Sequence, residues 1–334
     1  GHAGELALHF RNGQADGAGG SGAGSISDDH AGIMTFGEGS VSIGGDAIEV
    51  LEINDVIFDI AVNPDRGYAL SIRGVAREVA ASLGLQYRDP VDALRGLVFE
   101  KTGTGVTAKI VDKDAASVFY LRTLDNFDQV AQTPIWMRRR IEKMGMRSIS
   151  LVVDITNYVM LELGQPLHAF DADQISGGLS IKRAGSAQKF KTLDGQERTL
   201  DADDLMVWDD AKPLALAGTM GGLDSEITST TSRIAVEAVR FNPICVAKNS
   251  RRHKLSSEAS RRLERSVDPS LAEFASARFV QLLTSLSTAQ HVETVIDGEP
   301  RFAPVVKVDP AYVARTLNLD LTPAEIAGHL RSVG

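Results

Sequence analysis

The sequence is poor in the features on which the commonest enzyme classes depend. It has one cysteine, Cys245, in 334 residues, so no internal disulfide can form and thiolate ligands for a structural zinc are too few. That usage suits a reducing, cytoplasmic setting. The seven histidines, His2, His9, His30, His168, His253, His291 and His329, include no two at metal-ligand spacing. No apolar run approaches the roughly 20 residues of a membrane helix, and no secretory leader opens the chain. There is no phosphate loop ending in Gly-Lys-Ser/Thr and no Gly-x-Ser-x-Gly elbow. Gly17, Gly19 and Gly22 have the spacing of a dinucleotide fingerprint, but that motif needs a strand before it and a helix directly after it. Here it lies in a run, residues 12–27, made nearly all of Gly, Ala, Ser and Asp, which is expected to be a mobile loop. An initiating methionine is missing too. Gly1-His2-Ala3 reads as a cut end, and the chain is expected to be a piece of a longer protein.

What is present is ordinary for a globular chain: 43% apolar and 24% charged residues, in a length that suggests two or three domains. The net charge of −9 argues against binding nucleic acid with the whole surface. Two segments are locally basic. One, Lys248 to Arg265, carries Arg251, Arg252, Lys254, Arg261 and Arg262 against Glu258 and Glu264; the other is Arg138-Arg139-Arg140 with Lys143. Each reads as a solvated helix face or as a patch for RNA backbone, and charge alone favours the first.

From Ala47 to Ile60 the pattern suggests extended structure, closed by the turn Asn63-Pro64-Asp65-Arg66-Gly67. Ile72, Val75, Val79 and Leu83 then recur at helical spacing, with Gly84 as a stop. Thr133-Pro134 is expected to cap a helix through Met144. Strands are expected at 149–155, 179–183, 205–208, 214–217 and 234–239, with Asp194-Gly195 as a hairpin turn. Asp268-Pro269 opens a long helix carrying Leu271, Ala275, Phe279, Leu282 and Leu286, and Pro310 to Leu317 and Pro323 to Leu330 are two shorter ones. Strands and helices mixed without regular alternation predict an α+β fold. Blocks 1–45, 46–92, 93–300 and 301–334 are the expected domains, the last cut short.

The polar residues that stand out lie inside apolar stretches. Asp154, Thr156 and Asn157 follow Leu151-Val152-Val153. Residues 164–171 read as a structured turn presenting His168, which is either a satisfied core histidine or a working one. Glu237 shares a strand face with Ala235 and Val239. It is either an exposed edge position or a buried carboxylate with a task. Gly218-Thr219-Met220-Gly221-Gly222 either lets a ligand approach the backbone closely or is a plain turn.

The unbroken run Val152-Val153-Asp154-Ile155-Thr156-Asn157-Tyr158-Val159-Met160-Leu161-Glu162-Leu163-Gly164-Gln165-Pro166-Leu167-His168-Ala169-Phe170-Asp171 resembles the core motif of the editing domain in bacterial phenylalanyl-tRNA synthetase β subunits. So, in the same order, do Ala217 to Gly222, Val236-Glu237-Ala238 before Phe241, and Ser257 to Pro269. Upstream, Asn63 to Arg66 with Gly74 to Glu78 is similar to the small domain before the editing module, and Asp29 to Ile33 to the end of a tRNA-binding OB-fold. The sequence departs from that family at Ser257, usually threonine, Leu263, usually phenylalanine, Ser266, usually glycine, and Gly67-Tyr68-Ala69.

The resemblance implies a ligase subunit that hydrolyses tyrosyl-tRNA(Phe), in an α2β2 assembly with a separate α subunit. ATP and magnesium are expected only for that complete enzyme, and no cofactor is expected in this chain. By the same resemblance Glu237 takes the phenol, helped by backbone at Gly221, while Ser257 and Ala259 shape the wall. His168, Thr156 and Asn157 position water and the terminal adenosine, and Arg147 meets the tRNA end. A non-catalytic tRNA-binding fragment and a free-standing editing factor are the competing readings. His168, Asn157, Glu237, Gly221 and Ala259 are expected to line one cleft.

Overall fold

The computed structural model describes residues 42–50 and 54–333. The glycine-rich loop and the segment Asp29 to Ile33 lie outside the described residues. In chain order the helices are α1 (Ala47–Val50), α2 (Ile72–Leu83), α3 (Ile135–Lys143), α4 (Leu151–Leu163), α5 (Pro243–His253), α6 (Glu258–Leu263), α7 (Leu271–Leu286), α8 (Pro310–Leu317) and α9 (Pro323–Val333). The fold class is α+β, as the mixed pattern predicts. The described residues fall into two compact units, one of residues up to Ala61 with Val130–Asp154, the other of Val62–Gln129 with Ile155 onward.

The smaller unit corrects two expectations. The extended run expected from Ala47 is a single helical turn, α1, and residues 54–60 join no ladder. Val56, Ile57, Phe58 and Ile60 are exposed there; without a partner to bond its N–H and C=O groups, an apolar alternation makes no strand. Thr133 does not cap α3. Its hydroxyl donates to Asp154 Oδ2 at 2.5 Å, and the helix starts from Pro134 without a side-chain cap. The same carboxylate accepts from Ser148 Oγ at 2.5 Å and from the Ile149 amide at 2.8 Å. Asp154 is wholly buried, so three donors hold a charge that would otherwise be costly there.

The expected strand at 149–155 is instead the start of α4. A short apolar run fits a buried strand or a buried helix equally, and length arbitrates. Here Val159, Met160, Leu161 and Leu163 extend the run to 13 residues, apolar on nearly every side and buried on most. Gly164, at φ +94°, ends it.

The larger unit is built on two sheets. The first, antiparallel throughout, runs β11 (Gln290–Gly298), β2 (Ala116–Asp125), β10 (Ile234–Phe241), β3 (His168–Asp171). Successive side chains alternate between its faces. Val118 on β2 and Ala238 on β10 pack with Ala272 of α7 on one face, so Glu237 and Val239 point to the other. The second sheet has the order β1 (Ala108–Ile110), β4 (Leu179–Arg183), β7 (Leu205–Trp208), β8 (Pro213–Leu216), β9 (Met220–Gly221), with β1 and β4 parallel. A two-stranded ribbon, β5 (Lys189–Lys191) and β6 (Glu197–Thr199), turns at Asp194-Gly195 as the sequence indicates. At α2, Ser71 accepts the Gly74 amide at 3.0 Å and Gly84 closes the helix at φ +64°. Asp268 receives the amide and hydroxyl of Ser270, fixing the turn that opens α7.

Candidate active site

β10 is the inner strand between β2 and β3, so Glu237 is not at a sheet edge. It is 6% exposed. Antiparallel pairing sets Glu237 directly opposite His168 on β3, and such partners have Cβ atoms about 5 Å apart on one face. The first residue of β3 therefore presents its imidazole beside the carboxyl group. The ring meets Phe170, two residues on, edge to face at 4.5 Å.

These two side chains form the polar end of a pocket of about 440 Å³, counting the space open to solvent. Its apolar walls include Leu216 on β8, Val239 and Phe241 on β10, and Ala259 and Leu263 on α6. The β8–β9 hairpin closes one side. Its turn places Gly218 at φ +64°, where a Cβ would press on Leu263 at 2.9 Å. At Gly221 a Cβ would lie 2.5 Å from His168 Cε1 and 2.8 Å from Nε2. Only glycine lets the strand pass across the imidazole.

His168 Nε2, Glu237 Oε2 and the nearby Gln165 Oε1 are buried with no hydrogen-bond partner. Leaving such a group unpaired costs about 1–3 kcal/mol, so the two on residues lining the pocket, His168 and Glu237, mark a place prepared for someone else's polar atoms. Burial pushes the Glu237 carboxyl up to about 8 and the His168 imidazole down to about 4. Near pH 7 both are neutral. The carboxylic acid can give or take one hydrogen bond, and the imidazole keeps a lone pair for a water proton.

Of the five residues expected in one cleft, His168, Gly221, Glu237 and Ala259 line it and Asn157 does not. Asn157 is half-buried and Thr156 buried, both on α4. Arg147 is exposed and belongs to the smaller unit. Ser257 sits behind the wall. Its hydroxyl accepts the Ser260 amide at 3.0 Å, capping α6, and donates to the Thr219 carbonyl at 2.8 Å, so one side chain ties α6 to the β8–β9 turn. The basic segment around it is mostly internal scaffolding. Arg262 holds the Leu70 carbonyl and Glu258, Arg261 also pairs with Glu258, and Arg265 reaches the Val62 carbonyl. Leu263, which lines the pocket, was singled out in the sequence only as a departure from the family.

A family model described as B3/4 domain matches residues 115–288, which includes every residue of this pocket. The chain belongs to that family. Over most of its length it is similar to proteins named phenylalanine–tRNA ligase beta subunit. That of Leifsonia xyli subsp. xyli is 43% identical over 92% of this chain and 37% of that protein. That of Streptomyces avermitilis is 50% identical over 78% of this chain and 32% of that protein. That of Thermobifida fusca is 43% identical over 92% and 37%. This B3/4 chain thus spans about a third of the length of the curated relatives it matches. Among solved structures, it matches an N-terminal fragment of the phenylalanyl-tRNA synthetase β subunit from Pyrococcus horikoshii. The TM-score is 0.36 at 14% identity, over 81% of this chain and 74% of the other. Among the described residues no group of His, Cys, Asp and Glu could hold a metal ion, and no helix is long and apolar enough to cross a membrane.

Proposed function

We propose that this pocket hydrolyses tyrosine wrongly esterified to tRNA(Phe), as the editing site of a phenylalanine–tRNA ligase β subunit. The observation that carries the reading is the facing pair of neutral, unpartnered groups, Glu237 and His168, at the end of an apolar pocket. A synthetic site built for phenylalanine rejects an added hydroxyl by only about 100-fold. A second site that bonds the phenol can discriminate by about 10⁴ or more, because phenylalanine leaves the carboxyl group without a partner.

In this reading the tyrosine ring lies against Ala259 and Leu263, with its hydroxyl on Glu237. His168 orients a water and takes up its proton. The water oxygen bonds to the ester carbonyl carbon, the bond to the ribose oxygen breaks, and that oxygen recovers a proton. Neutral imidazole suits the step, since a protonated ring could not accept. Thr156, Asn157 and Arg147 act on the terminal adenosine and tRNA end, and Ser257 holds the wall through Thr219. The complete enzyme pairs this chain with an α subunit as α2β2 in the cytoplasm, where ATP and magnesium serve aminoacylation.

The test is a deacylation assay with tyrosyl-tRNA(Phe) and phenylalanyl-tRNA(Phe) side by side. Rapid loss of tyrosine with phenylalanine spared is expected. No hydrolysis of either returns the chain to the role of a non-catalytic tRNA-binding fragment, and equal hydrolysis of both overturns Glu237 as the group that selects tyrosine.

A further inference from the structure

A second pocket, of about 430 Å³ counting open space, lies on the far side of the strand that walls the first: Gly221 lines one and the adjoining Gly222 the other. Three lysines converge there. Lys189 and Lys191 flank Phe190 on β5, and Lys212 stands just before β8. Their ion pairs are weak or lacking. Lys189 is 3.2 Å from an exposed Glu197, Lys212 is 3.4 Å from an exposed Asp224, and Lys191 meets no carboxylate among the described residues. Exposed pairs of this kind contribute about 0–1 kcal/mol, so they yield readily to a stronger anion. Ser225, only 1% exposed, also lines the pocket, and its buried Oγ has no hydrogen-bond partner. A Cβ on Gly222 would lie 2.6 Å from the Leu214 carbonyl and 2.8 Å from the Phe190 ring, so bare backbone passes there. Three lysines and a hydroxyl outnumber the one carboxylate, Asp224, among the residues that line the hollow, a set that suits a tetrahedral oxyanion. In a chain of net charge −9, such a local concentration of lysines has a specific attraction to offer.

Resting on the function proposed above, we infer that the pocket of Lys189, Lys191, Lys212 and Ser225 holds a backbone phosphate of the RNA whose terminal ester occupies the first pocket. Gly221 lines the first pocket and Gly222 the second, so the two hollows share one stretch of backbone. The site also bears on the hydrolytic pocket. The Leu193 amide donates to the Gly221 carbonyl at 3.0 Å and Thr192 bridges Gly222, so an anion gripped by β5 steadies the strand that crosses His168.

The probe is a labelled RNA hairpin with a single-stranded 3′ CCA end, bound to the whole chain across a range of salt concentrations. Changing Lys189, Lys191 and Lys212 together to Gln should weaken binding at least tenfold. The slope of log affinity on log salt should fall by about 1 for each phosphate released. Ser225→Ala should weaken binding less and leave the slope unchanged. Unaltered affinity and slope in the folded lysine variant, checked by its melting curve, overturn the inference. So does a variant that loses inorganic phosphate while keeping RNA, which would be a site for a small free anion. Tyrosine ethyl ester, which carries no phosphate, reads the first pocket by itself. Failure to hydrolyse it counts against the proposed function, whereas unchanged RNA binding counts against this site.

Discussion

The larger unit contains two carboxylate–histidine pairs, and the contrast between them separates architecture from chemistry. Asp204, on the loop before β7, is wholly buried, and His253, at the end of α5, is 4% exposed at its side chain. His253 Nε2 lies 2.6 Å from Asp204 Oδ2, Arg252 bonds the other oxygen, and the Asp201 amide donates at 2.8 Å. Asn249 then clasps both backbone groups of Leu205, donating to its carbonyl at 2.7 Å and accepting its amide at 3.1 Å. Both carboxylate oxygens of Asp204 are engaged inside the protein. At Glu237 and His168 the same two functional groups stand opposite one another beside a pocket, and Oε2 of one and Nε2 of the other are buried without a partner. A satisfied pair welds a helix to a strand. An unsatisfied one carries a standing cost, which bound substrate relieves.

Breaking the satisfied pair should give the largest effect. Asp204→Ala leaves Arg252 and His253 without their shared anion, and loss of one partner of a buried pair costs about 3–5 kcal/mol. Urea unfolding should show that loss in the midpoint. An effect below about 1 kcal/mol, the range of surface pairs, would make the two pairs equivalent.

Glu237→Leu should do the reverse. Stability should hold or rise, because an apolar side chain of similar volume replaces an unpaired buried carboxyl group, while preference for tyrosyl- over phenylalanyl-tRNA should fall by about 1–3 kcal/mol. A destabilised variant with intact preference would show that Glu237 belongs with Asp204.

Gly221→Ala comes next. The new methyl group overlaps the imidazole, and displacing a reacting group by about 1 Å can cost 100-fold, or about 2.7 kcal/mol, in turnover. Tyrosyl-tRNA deacylation with kcat and KM separated should show the loss mainly in kcat.

The smallest effect is on pH dependence. Glu237 is raised from 4.5 to about 8, so between these values the folded state keeps a proton the unfolded state has lost, and stability falls as pH rises. His168 is lowered from 6.5 to about 4, and its contribution is lost as pH falls through that interval. The two opposing slopes cancel where the windows overlap. From pH 6.5 to 8 only Glu237 acts, at about 1.4 kcal/mol per unit, a loss of about 2 kcal/mol. Melting curves at pH 6.5 and 8 should show it in the parent and not in Glu237→Gln.

The difference between the pairs also marks what could be read from the chain. The short apolar runs located β4, β7, β8 and β10 but put extended structure at residues 54–60 and at the start of α4, and missed β2 and β11. Local chemistry located the stops, since Gly84 closes α2 and Asp194-Gly195 turns the ribbon through conformations that depend on nearest neighbours. The resemblance to the family's motifs brought His168, Gly221, Glu237 and Ala259 forward from four separate stretches, and these do share a pocket. Whatever depends on long-range pairing stayed hidden. Asp204 and His253 are 49 residues apart, and nothing near either betrays the other. Thr133 had the look of a cap but answers to Asp154, 21 residues away. Ser257 has the local signature of a cap and is one, yet its bond to Thr219 spans 38 residues. The lysines of the second pocket passed unnoticed because Lys189 and Lys191 look like the solvent side of any strand and Lys212 lies well beyond them.

β3 is four residues long and pairs on one side only, with β10, whereas β10 is laddered on both. Short edge strands open before the strands inside a sheet. In a hydrogen-exchange experiment the amides of β3 should therefore trade with solvent well ahead of those flanking Glu237. The carboxyl group is fixed to the part of the sheet that breathes least, and the imidazole to the part that breathes most. Under the proposed function, the half of the site that recognises sits on the inner strand and the half that handles water sits on an edge strand.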